Sequence, residues 1–203
     1  PEWSMYFGGN GYDEGTGVTT DTDGNPYFTG FTSSSTFPAL TGGQQGLFGG
    51  IFDAYIAKFG SANGASTGFV PNADKLLWAT YYGGSNDDKA LGITTVGNGT
   101  SGRVFVTGYT ESTDLLTYNN AGVYHQNSLA GTRDVFVIGL DNLFGGAQSA
   151  ATRWATYFGG NGNDIGNTIT KDATGNIYIG GSASTSFYSA NTCAVPTDGG
   201  FPQ

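Results

Sequence analysis

The chain reads as short runs in which apolar and polar residues alternate, each closed by glycine. An aromatic run appears three times, as WSMYF from Trp3, WATYY from Trp78 and WATYF from Trp154, and two glycines follow every copy. Behind them come GVTTD (Gly17 to Asp21), GITTV (Gly92 to Val96) and TITKD (Thr168 to Asp172), with Val18, Ile93 and Ile169 at one shared offset. Alternation at a period of two predicts half-buried strands. DGN (Asp23 to Asn25) and TGN (Thr174 to Asn176) then lead into PYFTG and IYIGG, and Gly and Asn tolerate the positive φ that a tight hairpin turn needs. The second copy carries a longer turn, GNGTSG, before RVFVTG. A further strand is announced by DAYIAKF (Asp53 to Phe59) and DVFVIGL (Asp134 to Leu140).

Trp3 to Trp78 is 75 residues and Trp78 to Trp154 is 76, so the pattern is an internal repeat, with copies at about 3–77, 78–153 and a truncated 154–203. Each copy holds four short strands in up-and-down order. A four-stranded antiparallel sheet repeated in tandem predicts β-propeller blades, all-β, over one region spanning 1–203. Eleven strands counted from Trp3 make an incomplete propeller of just under three repeats.

Composition agrees with a turn-rich β protein: 36 glycines in 203 residues, 14% aromatic and only 11% charged, with no long helix expected. A net charge of -9 with seven Lys and Arg disfavours nucleic acid and anionic membrane as partners. The one cysteine, Cys193, excludes an intrachain disulfide and a CxxC metal site. No apolar run is long enough to span a membrane. A start at Pro1, with neither initiator Met nor signal peptide, predicts a processed piece of something longer.

The joint pattern W-[SA]-x-Y-[FY]-G-G, Asp ten residues after the Trp, D-x-x-G-N-x-Y-x-x-G and D-A-Y-I-A-K resembles the bacterial β-propeller repeat called SBBP. That resemblance implies secretion or display at a bacterial cell surface, often in gliding Bacteroidota that export through the type IX system, beside adhesion and polysaccharide modules. The third copy departs from it, with SASTSFYS (Ser182 to Ser189) where the first has FTSSSTFP and no DAYIAK-like strand after it. A terminal blade left open wets apolar surface. Neighbouring blades, from a longer parent or from other copies, are therefore the expected partners, with a surface protein or polysaccharide beyond them.

Among candidate sites, Asp13, Asp88 and Asp164 recur once per copy, and a ring of such acids around a channel would hold Ca²⁺ through oxygen ligands. The same recurrence suits an Asp that fixes a Gly-rich turn by accepting backbone N–H bonds, and the turn role is the reading adopted. Neither a cofactor nor a catalytic residue is expected. DTDGN begins like a calcium loop and then has Pro26 and Thr32 where that loop needs Gly and Glu, so a hairpin turn is expected. Structural roles are assigned to Trp3, Trp78 and Trp154 as core, to the pairs Gly8 and Gly9, Gly83 and Gly84, Gly159 and Gly160, and to Asp53 and Asp134 at strand starts. His125 is the only histidine, and Ser128 and Asp134 near it form no known triad; Asn98-Gly99-Thr100 is a weak glycosylation signature.

The reading reached is a non-enzymatic extracellular structural or adhesion module, making contacts through the loops Phe37 to Phe52, Ser61 to Leu76 and Leu115 to Arg133. Leu47, Phe48, Ile51 and Phe52 in the first loop form a partner patch if exposed and a cap on the blade if buried. Two alternatives stand beside it. One is a carbohydrate-binding or carbohydrate-active propeller with an acid-lined pocket and Tyr118 or Tyr124 exposed at its side; the other is a subunit that assembles edge to edge into a ring or filament.

Overall fold

The computed structural model describes residues 6–38, 45–60, 76–97, 102–119, 124–141 and 153–184. Ten strands run in chain order: β1 (Asp13–Thr20), β2 (Pro26–Thr32), β3 (Asp53–Phe59), β4 (Leu76–Tyr82), β5 (Asp88–Val96), β6 (Arg103–Thr110), β7 (Asp134–Asp141), β8 (Trp154–Phe158), β9 (Asp164–Lys171) and β10 (Ile177–Ala183). They form two antiparallel four-stranded sheets, β1-β2-β3-β4 and β5-β6-β7-β8, and a two-stranded sheet of β9 and β10. The protein is all-β, no helix occurs among the described residues, and the propeller is not closed.

The turn chemistry acts where the sequence places it. Gly24 has φ 80° and Gly175 φ 90°, closing β1 to β2 and β9 to β10. In both turns an aspartate carboxylate accepts backbone N–H bonds, Asp21 from Asp23 and Asn25, Asp172 from Thr174 and Asn176. DTDGN is thus a hairpin turn whose carboxylate is occupied by its own loop and by Lys58 at 3.2 Å.

Sheet phase differs from repeat phase. The tryptophan strands β4 and β8 pair with β3 and β7 as the fourth strands of their sheets, while Asp13, Asp88 and Asp164 open the next sheet in line. A period counted from tryptophan therefore joins the last strand of one sheet to the first three of the following one. Trp3 lies outside the described residues. Phe7 packs on Phe37, Tyr55 and Phe59 against the first sheet.

The first strands β1, β5 and β9 lie side by side, brought close by glycine. A methyl on Gly17 would meet Ile93 at 3.1 Å, and one on Gly92 would meet the Ile169 backbone at 3.0 Å. Hydroxyls span the first gap, Thr16 to the Ala90 carbonyl at 2.7 Å and Thr95 to that of Thr20 at 2.8 Å. Between the first two sheets lies the largest apolar cluster, with Tyr27, Ile56, Trp78 and Tyr82 against Val106, Phe136, Ile138 and Tyr157. A smaller cluster of Val135, Val137, Trp154, Ile169 and Ile177 joins the second sheet to the third. Trp78 and Trp154 are both buried.

Candidate functional site: the aspartate seams

Every described strand of the first two sheets begins or ends at one common end of the molecule, where Asp13, Thr32, Asp53 and then Asp88, Thr110, Asp134 stand side by side in register. Two kinds of carboxylate cradle form there. Asp13 accepts N–H from Gly9 at 2.8 Å and O–H from Thr32 and Ser34. Asp88 repeats this with Gly84 N–H at 2.7 Å and the Ser112 hydroxyl at 2.7 Å, both on Oδ2. Asp164 takes Gly160 N–H at 2.7 Å, but Ala183 stands opposite it where Thr32 and Thr110 stand in the other sheets, and its buried Oδ1 has no partner.

The acids at the third strands are bound through glutamine. Gln45 donates to Asp53 at 3.0 Å and to the Leu47 carbonyl at 2.7 Å, while its Oε1 accepts Gly83 N–H at 3.0 Å. Gln126 does the same for Asp134, the Ser128 carbonyl and Gly159. Backbone N–H groups of Gly49 and Gly50, or Ala130 and Gly131, complete each cradle. Sequence reading passed over both glutamines. The available signal was spacing, since each stands eight residues before its aspartate in otherwise dissimilar loops.

The double glycine is explained at the seam between sheets. A methyl on Gly83 would stand 2.5 Å from Asp53 Oδ1 and 3.0 Å from Asp88 Oδ2, and one on Gly159 would be 2.7 Å from both Asp134 Oδ1 and Asp164 Oδ2. Each glycine is the gap through which the third-strand acid of one sheet approaches the first-strand acid of the next. Burial pushes the Asp53 carboxyl up to about 6, with the charge of Asp88 adding to it. Burial likewise raises Asp88, and it raises Asp134 with Asp164 contributing.

The structure thus brings Asp53 to Asp88 and Asp134 to Asp164, pairs rather than a ring of Asp13, Asp88 and Asp164. Among the described residues no three His, Cys, Asp or Glu side chains are placed to hold a metal ion. His125 Nε2 is buried and makes no hydrogen bond, and the Asp134 carboxylate is taken by Gln126, Ala130 and Gly131. Asn98 to Thr100 and Cys193 lie outside the described residues.

The apolar loop before β3 divides its residues. Phe48 turns inward onto Tyr81, and Phe52 packs on Phe31 beneath the Lys89 ammonium, whereas Leu47 is 81% and Ile51 62% exposed. Tyr12 and Leu116 are exposed at the same end. On the far side of the second sheet an apolar groove of about 310 Å³ runs between Trp154, Phe158 and Tyr124 and the open strand β10 through Ile177 and Ile179.

Two segments, 2–38 and 153–188, match the family model of the SBBP β-propeller repeat. The second of these covers β8, β9 and β10, so the matched unit straddles a seam: a fourth strand, the glycine pair, the aspartate and the next two strands. The middle copy lies outside both segments and supplies β4 to the first sheet and β5, β6 and β7 to the second. No curated protein matches the chain.

Proposed function

We propose that this chain, a tandem of SBBP β-propeller repeats, is a non-enzymatic structural or adhesion module of a cell surface that makes its contacts at the aspartate end. One observation carries the reading. The seam carboxylates Asp53, Asp88, Asp134 and Asp164 are buried and occupied by backbone N–H, glutamine or hydroxyl donors, whereas four large apolar side chains, Tyr12, Leu47, Ile51 and Leu116, stand exposed at that end among polar ones such as Asn86 and Asp114. A hydrolytic acid pair needs an accessible carboxyl beside substrate. A scatter of exposed apolar side chains on one face suits association.

The test compares the chain with a Leu47→Ser, Ile51→Ser double variant for binding to immobilised surface polysaccharide and to whole cells. The expected result is bound wild type, lost binding by the variant and an unchanged melting temperature. Equal binding by both, or glycan cleavage by the wild type, overturns the proposal.

Assembly is a second reading, favoured by β10. Six of its seven residues are exposed and its outer edge has no strand beside it among the described residues, while β2 and β6 each lie between two strands. Native mass spectrometry expects multiples of the 21.0 kDa chain on this reading and a single mass against it.

A further inference from the structure

Asp53 opens β3 in the first sheet, Asp88 opens β5 in the second, and the two carboxylates meet across Gly83 with no heavy atom of that residue's side between them. Both residues are wholly buried. The described cations nearest in sequence are committed elsewhere: Lys58 lies 3.2 Å from Asp21, Lys89 lies 3.4 Å from Asp87 and over the rings of Phe31 and Phe52, Arg103 lies 3.7 Å from Asp141, and Arg133 bonds Glu111 with its guanidinium on Tyr109. The other described groups that face the pair are neutral or negative. Gln45, Ser112 and Thr110 are neutral, Tyr81, Tyr82 and Tyr157 are phenols that burial keeps protonated, and Asp114 adds negative charge beside Asp88. Two carboxylates in a dry site without a cation repel each other, and one proton relieves the repulsion.

The hydrogen bonds are arranged to tolerate that proton. Asp53 accepts three N–H donors spread over both oxygens, from Gln45, Gly49 and Gly50, and so is held as an acceptor. Asp88 receives its N–H and Ser112 bonds on Oδ2 alone. Its buried Oδ1 makes no hydrogen bond, and the Thr110 hydroxyl near the carboxyl, which already accepts the Ser112 N–H, can rotate to donate to a carboxylate or accept from a carboxylic acid.

We infer that Asp53 and Asp88 form a proton-held latch between the first and second sheets, closed when the pair shares one proton and loosened when both carboxyls are ionised. Asp134 and Asp164 repeat the geometry across Gly159 at the next seam. The upward displacement of Asp53 and Asp88 described above agrees with this, and the protons belong to the pair rather than to one residue. Because the folded state holds the proton more tightly than the unfolded chain, the latch is fully engaged at the low end and lost as pH rises through about 6.

The test is amide exchange at Gly83 and Gly84 in the 203-residue chain at pH 5 and pH 7.5, corrected for intrinsic rates. Protection is expected to fall about tenfold or more on going to pH 7.5. Asp88→Asn removes one charge and keeps the Oδ2 acceptor for Gly84 and Ser112, with its amide N–H directed at Thr110; protection there should be high at both pH values. Equal pH dependence in wild type and variant overturns the latch. Should the variant fail to fold, carbon NMR titration of the wild-type carboxyls decides: an Asp titrating near pH 6 in two coupled steps supports it, and only ordinary titrations near pH 4 overturn it.

Discussion

The two seams are built from the same parts and differ in how completely they are filled. At the first, Tyr82 meets Phe136 at 5.3 Å, Trp78 is covered from both sheets, and Asp88 Oδ2 has the Ser112 hydroxyl. At the second, Trp154 and Phe158 face a groove, β10 has no third strand beside it among the described residues, and alanine replaces the threonine at Asp164. The repeat therefore encodes the joint between blades separately from the blade itself: the glycine and the two acids form at 159, 134 and 164 although only two strands of the following sheet are among the described residues. Apolar cover is what distinguishes the two seams.

Removing that cover's counterpart should give the largest effect. Trp78→Ala is expected to destabilise the chain by about 3–5 kcal/mol, the range for a large buried aromatic, and Trp154→Ala by visibly less because its site already opens on the groove. Urea denaturation of both measures the contrast; equal losses would mean the second seam is as tightly closed as the first.

Gly83→Ala should cost roughly 2–3 kcal/mol, since the added methyl enters between two fixed carboxylates. Gly159→Ala meets Asp134 and Asp164, and because Asp164 has only the Gly160 N–H for a donor among the described residues, a smaller fall in melting temperature is expected.

Gln45→Ala leaves the Gly83 N–H without its partner and takes one of two donors from Asp53 Oδ2 at a buried site, for an expected loss of about 2 kcal/mol. Gln126→Ala tests the same device in the second sheet and should match it, as the cradles are alike.

The stability profile with pH should pass through a maximum. Asp53 is raised, so its contribution declines as pH climbs through about 6. Burial works to raise Asp21 as well, but the Asn25 bonds and Lys58 outweigh it and hold that carboxyl below its ordinary value, so its contribution is lost as pH falls through the low carboxylate range. Thermal melts should peak at about pH 4 and fall toward pH 6; a monotonic rise to pH 8 would contradict the Asp53 assignment. The smallest effect is a gain: Ala183→Thr supplies the absent hydroxyl to Asp164 Oδ1 and should stabilise the second seam by about 1 kcal/mol.

Much of this was legible before the structure. Period-two alternation gave the strands, DGN and TGN gave the hairpins, and equal spacing gave the repeat, because each depends on neighbours within a few residues. The glutamines were not, because their partners lie in the next strand and across the seam, Gln45 reaching both Asp53 and Gly83. Leu47, Phe48, Ile51 and Phe52 formed one apolar string on paper, and packing alone sorted two of them inward and two outward.

By itself the sequence determined that this protein is a tandem of four-stranded antiparallel units with an aspartate at a fixed place after each glycine pair, since local backbone preferences and periodicity are written along the chain. Only the tertiary structure decided that the tryptophan strand ends a sheet rather than starting one, and that Asp88 faces Asp53 rather than a channel of its equivalents. Both follow from which strands share hydrogen bonds and how closely glycine lets two sheets approach, and neither quantity exists until distant segments meet.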